Sequence, residues 1–208
     1  MADSTAATTT DTSLVSRMIR AARLDASLYE EVEHDQTATR DAGIVVAIVA
    51  VCSAISQALS LMTHPVAAQA VAPPNPIVAA IGALIAALLG WVVWSYVTYF
   101  VGTRLFHGTA TPGEMLRTIG FAQSPGVLSI LGFVPYLGAI VGLVVFIWTL
   151  VAGVIAVRQA LDFDTGKAIL TAIVGWLFLV VITIAIAVIV GGAAFGLGAM
   201  AGGGGTSY

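Results

Sequence analysis

Few residues in this chain have the type and spacing to do chemistry. Glu114 and Arg117 stand three apart and Arg158 and Asp162 four apart. On a helix those spacings bring opposite charges onto one face, where they can form helix-end ion pairs. Gln123, Ser124 and Pro125 interrupt an apolar run, and Gln159 follows Arg158. The sharper reading gathers these groups into one polar cluster that contacts a partner protein or a lipid headgroup. Upstream, Arg17, Arg20 and Arg23 oppose a helical face made of Leu14, Val15, Met18, Ile19 and Ala22. A basic amphipathic helix of this kind suits anionic lipid at a membrane interface, and its alternative is a helix folded under a bundle.

Catalytic patterns are missing from the sequence. His34, His64 and His107 are isolated, with no HExxH pair, no GxSxG elbow and no GxxxxGK phosphate cradle. Cys52 is the only cysteine, so there is no internal disulfide framework or cysteine-built metal site, and it reads as a small apolar residue within a helix. The expectation is a protein without enzymatic activity, catalytic residues, metal or cofactor.

The elements that must position these groups belong in a membrane. Of 208 residues, 59% are hydrophobic and 9% charged, against about 25% charged in a soluble domain. The formal net charge of −3 gives no general attraction to nucleic acid. Residues 1–11 read as a disordered tail, and residues 12–41 as a cytoplasmic amphipathic helix and linker that runs on into the acidic patch Glu30, Glu31, Glu33 and Asp35. Uncharged runs then predict five spans, at about 44–61, 77–101, 118–134, 137–157 and 168–190. The first has 18 residues, or ~27 Å of helix against a hydrocarbon core of ~30 Å. The third is broken by Pro125, whose missing N–H frees backbone groups that neighbours must satisfy. Residues 191–208 read as a flexible glycine-rich tail. The predicted class is all-α: a polytopic integral membrane protein with a five-helix bundle preceded by an amphipathic interfacial helix.

All eight basic residues bear on topology. Arg17, Arg20, Arg23 and Arg40 precede the first run, Arg104 and Arg117 lie between the second and third, and Arg158 and Lys167 between the fourth and fifth. The remaining connections have none, so the positive-inside rule predicts five crossings with the N-terminus cytoplasmic and the C-terminus external. Ala68-Gln69-Ala70 looks like a signal-peptidase site, but the first run is longer than the 7 to 15 residues of a signal core. The spans carry no Asp, Glu, Lys, Arg or His, which argues against a proton-coupled pump. Ala50, Ala54 and Ala58, then Ala79, Ala83 and Ala87, then Gly138 and Gly142 recur every four residues and predict packing faces, with self-association a second use.

Several motifs carry a resemblance. Thr111-Pro112-Gly113-Glu114 leads to Gly120-Phe121-Ala122-Gln123-Ser124-Pro125, then Val134-Pro135-Tyr136, Trp148 and Val157-Arg158-Gln159-Ala160-Leu161. Arg23-Leu24-Asp25 and Leu28-Tyr29-Glu30-Glu31-Val32-Glu33 stand ahead of the first span. The pattern resembles prokaryotic members of the Yip (Ypt/Rab-interacting protein) family of polytopic membrane proteins. The resemblance implies five helices and a cytoplasmic N-terminus, in a prokaryotic cytoplasmic membrane. Eukaryotic relatives act in vesicle traffic and contact prenylated small GTPases, but their acidic Tyr-Gly-Pro motif has no counterpart here, so GTPase binding is not carried over. The expected function is a non-enzymatic scaffold or adaptor that meets lipids and other membrane proteins. The alternative is a small transporter or channel subunit with its site at the broken third helix.

Overall fold

A computed structural model describes residues 13–63, 75–178 and 180–181, and the regular elements among them are all helical. The predicted tails at 1–11 and 191–208, the Ala68-Gln69-Ala70 segment and the later part of the run 168–190 lie outside the described residues.

The amphipathic region forms two helices rather than one. Helix α1, Leu14–Ala22, starts at Ser13, whose hydroxyl accepts from the Ser16 amide at 3.3 Å. It stops because the chain turns at Leu24, a non-glycine residue at φ 62°, and Asp25 then caps α2, Ala26–His34, by accepting from the Ser27 amide at 3.0 Å. A side-chain oxygen at that position satisfies a helix-start N–H that would otherwise have no partner.

Helices α3 (Ala38–Thr63), α4 (Pro76–Leu105) and α6 (Leu137–Ala160) are long and apolar enough to cross a membrane. Their surfaces confirm the solvent they are built for: Ile77 is 70% exposed, Leu89 59% and Phe146 64%, which in water would be an unsupported apolar surface. α4 begins at a proline behind Asn75, whose side chain accepts from the Ile77 and Val78 amides.

The predicted third span is broken. Helix α5, Pro112–Ala122, opens with a complete capping box between Thr111 and Glu114, then gives way to a 3-10 segment, Ser124–Phe133. Pro125 is the cause, because its ring excludes an α-helical bond to the Phe121 carbonyl. The Ser124 hydroxyl donates to that same carbonyl at 2.6 Å, and Gly126 N–H bonds back to Gln123 at 2.8 Å. Pro135 and Tyr136, the latter at φ 63°, turn the chain into α6. Of the fifth run, the described residues Thr165–Phe178 form an apolar helix, α7.

Two apolar clusters hold these elements together. In the first, Leu28, Tyr29 and Val32 of α2 are fully buried with Ala42 and Val45 of α3, Phe121 of α5, and Ala152 and Ala156 of α6. In the second, Met115 and Ile119 of α5 meet Val157 and Ala160 of α6, with Leu161, Phe163 and Ala168 beyond. α2 is therefore a core element, wedged among the apolar helices rather than laid on them.

Candidate functional site

Side chains with charge collect where α1 and α2 meet the start of α3, the start of α5 and the end of α6. Arg17 is only 6% exposed and is surrounded by acids: its Nε donates to Glu31 at 3.0 Å, one Nη to Asp35 at 2.9 Å, and the other stands 3.6 Å from Asp41. Arg20 bonds Asp25 at 2.9 Å and also Glu31. Burial works against the Arg17 charge, but the hydrogen bonds it donates to Asp35 and Glu31 outweigh it and raise its pKa. Asp25 is held below the usual carboxylate range by the Ser27 hydroxyl and then by Arg20, and Asp35 by the Thr37 hydroxyl and Arg17. Arg17 and Arg20 thus bond protein carboxylates. Val15 and Ile19 are the exposed residues of α1, with Arg23 exposed one turn beyond.

Three side chains fix α1 and α2 onto the bundle through long-range bonds. Arg117 donates from Nε to the Val32 carbonyl at 2.8 Å, from one Nη to the Glu33 carbonyl, and from the other to the Thr39 hydroxyl at 3.4 Å. Trp148 Nε1 donates to the Ala22 carbonyl at 2.7 Å. Gln159 Nε2 donates to Glu30 Oε1 at 2.6 Å. The expected Glu114–Arg117 pair is not formed, because Glu114 is committed to the Thr111 amide at 2.9 Å and Arg117 to backbone oxygens. Nor do Arg158 and Asp162 pair: Arg158 is exposed on the last turn of α6, and Asp162 accepts from the Thr109 hydroxyl at 2.9 Å. That bond, with Thr109 N–H to Leu161 O at 3.4 Å, brings the connection after α4 against the connection after α6.

Gln123, Ser124 and Pro125 belong elsewhere. Ser124 and Pro125 are buried among apolar neighbours, and Gly126 lies so close to Val49 that a methyl there would fall 2.6 Å from it. Gln123 lines a cavity of about 580 Å³ between α3 and α4, and a smaller one of about 180 Å³ beside Phe146 and Gly153. The alanine stripes at 50, 54 and 58 and at 79, 83 and 87 line the larger cavity, so they leave space where close packing was expected. Of the ten residues singled out by sequence, then, Arg17, Arg20, Arg117 and Gln159 meet at the α1–α2 seat. Glu114 starts α5 nearby, Arg23 and Arg158 are exposed, and the Gln123–Pro125 group lies within the bundle.

Sequence reasoning missed the role of Trp148, and it read Glu30 and Glu33 as one acidic patch with Glu31. Their spacing held a usable signal, since positions 30, 33 and 34 fall on a different helical side from 31 and 35. Glu30, Glu33 and His34 each offer a ligand atom, all within 4.8 Å of one another, and they are the group among the described residues able to hold a metal ion. Burial, then the charge of Glu30, pushes the Glu33 carboxyl up to about 7.

A family model described as the Yip1 domain matches residues 29–189, from within α2 through the described part of α7. No curated protein and no solved structure matches the chain.

Proposed function

Because this chain belongs to the Yip family of integral membrane proteins, we propose that it works as a non-enzymatic membrane scaffold or adaptor, presenting the face built on α1 and α2 to other membrane proteins and to lipid. The observation that carries this reading is the seating of α1 and α2 by Arg117, Trp148 and Gln159. Those bonds turn a charged segment into a fixed surface on which Arg23, Glu30, His34 and Arg158 are exposed. A fixed surface can bind a partner without first losing chain entropy.

The same reading puts that face in the cytoplasm of a prokaryotic cell, with five crossings and an external C-terminus. Contact between the connections after α4 and after α6 supports it, since an even number of crossings must separate two segments on one side. Single cysteines placed at Arg23, His107 and Asp162 in a Cys52→Ser background are expected to label only from the cytoplasmic side. Labelling of Asp162 from outside would refute the topology.

Polar side chains bonded within the protein near the helix break favour the scaffold over a solute path. Ser124 is buried with its hydroxyl bonded to Phe121, and Ser53, which lines the cavity between α3 and α4 with Gln123, bonds Ser129 at 2.9 Å. Photo-crosslinkers at Arg23 and Arg158 in native membranes are expected to trap discrete proteins, while one at Ile81 on lipid-facing α4 traps none. Solute uptake by reconstituted protein that Gln123→Ala abolished would overturn the proposal.

A further inference from the structure

We propose that Glu30, Glu33 and His34 at the end of α2 form a binding site for a divalent first-row transition-metal cation such as Mn²⁺ or Zn²⁺. The acids of this region divide into two sets. Asp25, Glu31 and Asp35 are neutralised by Arg17 and Arg20. Glu30 and Glu33 have no arginine or lysine within ion-pair distance among the described residues. The Glu30 carboxylate accepts from the neutral amide of Gln159, and Glu33 Oε1 stands 3.4 Å from His34 Nδ1.

A second observation is independent of the clustering. Glu33 is 8% exposed, and its Oε2 is buried with no hydrogen-bond partner. A buried carboxylate oxygen without a donor is costly, and native proteins supply a partner, an ion or a proton in such places. Arg117 does not meet the need, because its guanidinium is bonded to the backbone carbonyls of Val32 and Glu33 and to Thr39. Glu114 from α5 and Asp162 from the connector after α6 add their negative potential to that of Glu30 at the same carboxyl. Acids from three elements thus face the Glu33 carboxyl, with His34 acting against them.

His34 is prepared as a ligand. Its Nδ1 lies 2.9 Å from the Glu30 carbonyl oxygen and 3.4 Å from Glu33 Oε1, and in the tautomer whose Nδ1–H donates to that carbonyl the Nε2 lone pair is free for a metal. Backbone acceptors orient metal-binding imidazoles in this way. Two carboxylates and one imidazole suit a first-row divalent cation, whereas Mg²⁺ prefers oxygen and keeps its water shell. The cation would give Glu33 Oε2 the partner it lacks and tie the end of α2 to the surface that Gln159 already holds.

The test is a Mn²⁺ titration of the full chain in nanodiscs at pH 8, followed by the electron paramagnetic resonance signal of free Mn²⁺, with Zn²⁺ as competitor. One saturable equivalent is expected, displaced by Zn²⁺. Glu33→Gln and His34→Ala should each weaken it by at least about tenfold. Glu31→Gln, one residue away on the arginine side, should change it less than about twofold, in keeping with its place outside the ligand group. His34 is exposed, so its replacement leaves the fold intact. Absence of saturable binding, or equal affinity in the Glu33 and His34 variants, would show that a proton alone occupies the site and would overturn the proposal.

Discussion

Arg117 donates to the carbonyl oxygen of Val32 at 2.8 Å across 85 positions of sequence. The last turn of a helix leaves carbonyls without intrahelical partners, at the negative end of the helix dipole. Arg117 closes the end of α2 from another helix. Replacing it with alanine strips buried oxygens of their donor, at a cost of about 3 kcal/mol. Arg117→Ala should therefore speed hydrogen exchange in residues 28–34 by roughly a hundredfold while exchange in α3 and α6 stays unchanged. Arg117→Lys should recover little of this, because an ammonium cannot reproduce the fork.

Trp148 makes the corresponding contact to α1. Phenylalanine keeps most of the ring volume but loses the indole N–H that meets Ala22 at 2.7 Å. The expected loss is about 1 kcal/mol. Trypsin should then cut faster after Arg20 and Arg23, with the bundle still protected from cleavage.

Gly120 allows α5 to lie against α3. A methyl there would fall 2.6 Å from the Ala42 side chain and 3.1 Å from its Cα, and the backbone of α3 cannot yield as a flexible side chain would. Gly120→Ala is expected to cost about 1–3 kcal/mol by overpacking. A lower melting temperature in detergent checks it, and an unchanged one would mean that the helices slide apart freely.

Stability of the α1–α2 seat should fall on both sides of a mildly acidic optimum. Asp25 and Asp35 have folded pKa values lowered from 3.8, so their contribution is full above that value and is lost as pH falls through the lowered pKa. Glu33 is raised from 4.5 to about 7, so the folded state holds its proton more tightly, and stability declines as pH rises from 4.5 to about 7. His34, raised by its bond to the Glu30 carbonyl and by Glu33, acts in the same direction above its ordinary 6.5. With chelator present, the melting temperature should drop between pH 5 and pH 8, and Glu33→Gln should flatten most of that slope.

Much of the architecture was legible before any coordinates. The apolar runs at 44–61, 77–101 and 137–157 lie inside α3, α4 and α6. Pro125 announced the break that ends α5 one turn early. In the sequence the helix start at Asp25 reads as part of one continuous helix, although its cap on the Ser27 amide is a local feature. Pairing across distance was not legible. Hydrophobic periodicity finds the face of α1 but says nothing about which carboxylates its arginines meet, and Arg17 draws one from α3. Arg117 looked like the partner of Glu114 because local spacing is all that a single sequence displays. Its oxygens come from a helix whose approach depends on the packing of Tyr29 and Phe121.

The bonds that seat α1 and α2 share an order. Their acceptors, at residues 22, 30, 32 and 33, leave the ribosome before their donors at 117, 148 and 159. The segment made first cannot take its place until α6 has been synthesised and inserted. Until then the side of α2 that carries Leu28, Tyr29 and Val32 lacks Phe121, Ala152 and Ala156 to pack against.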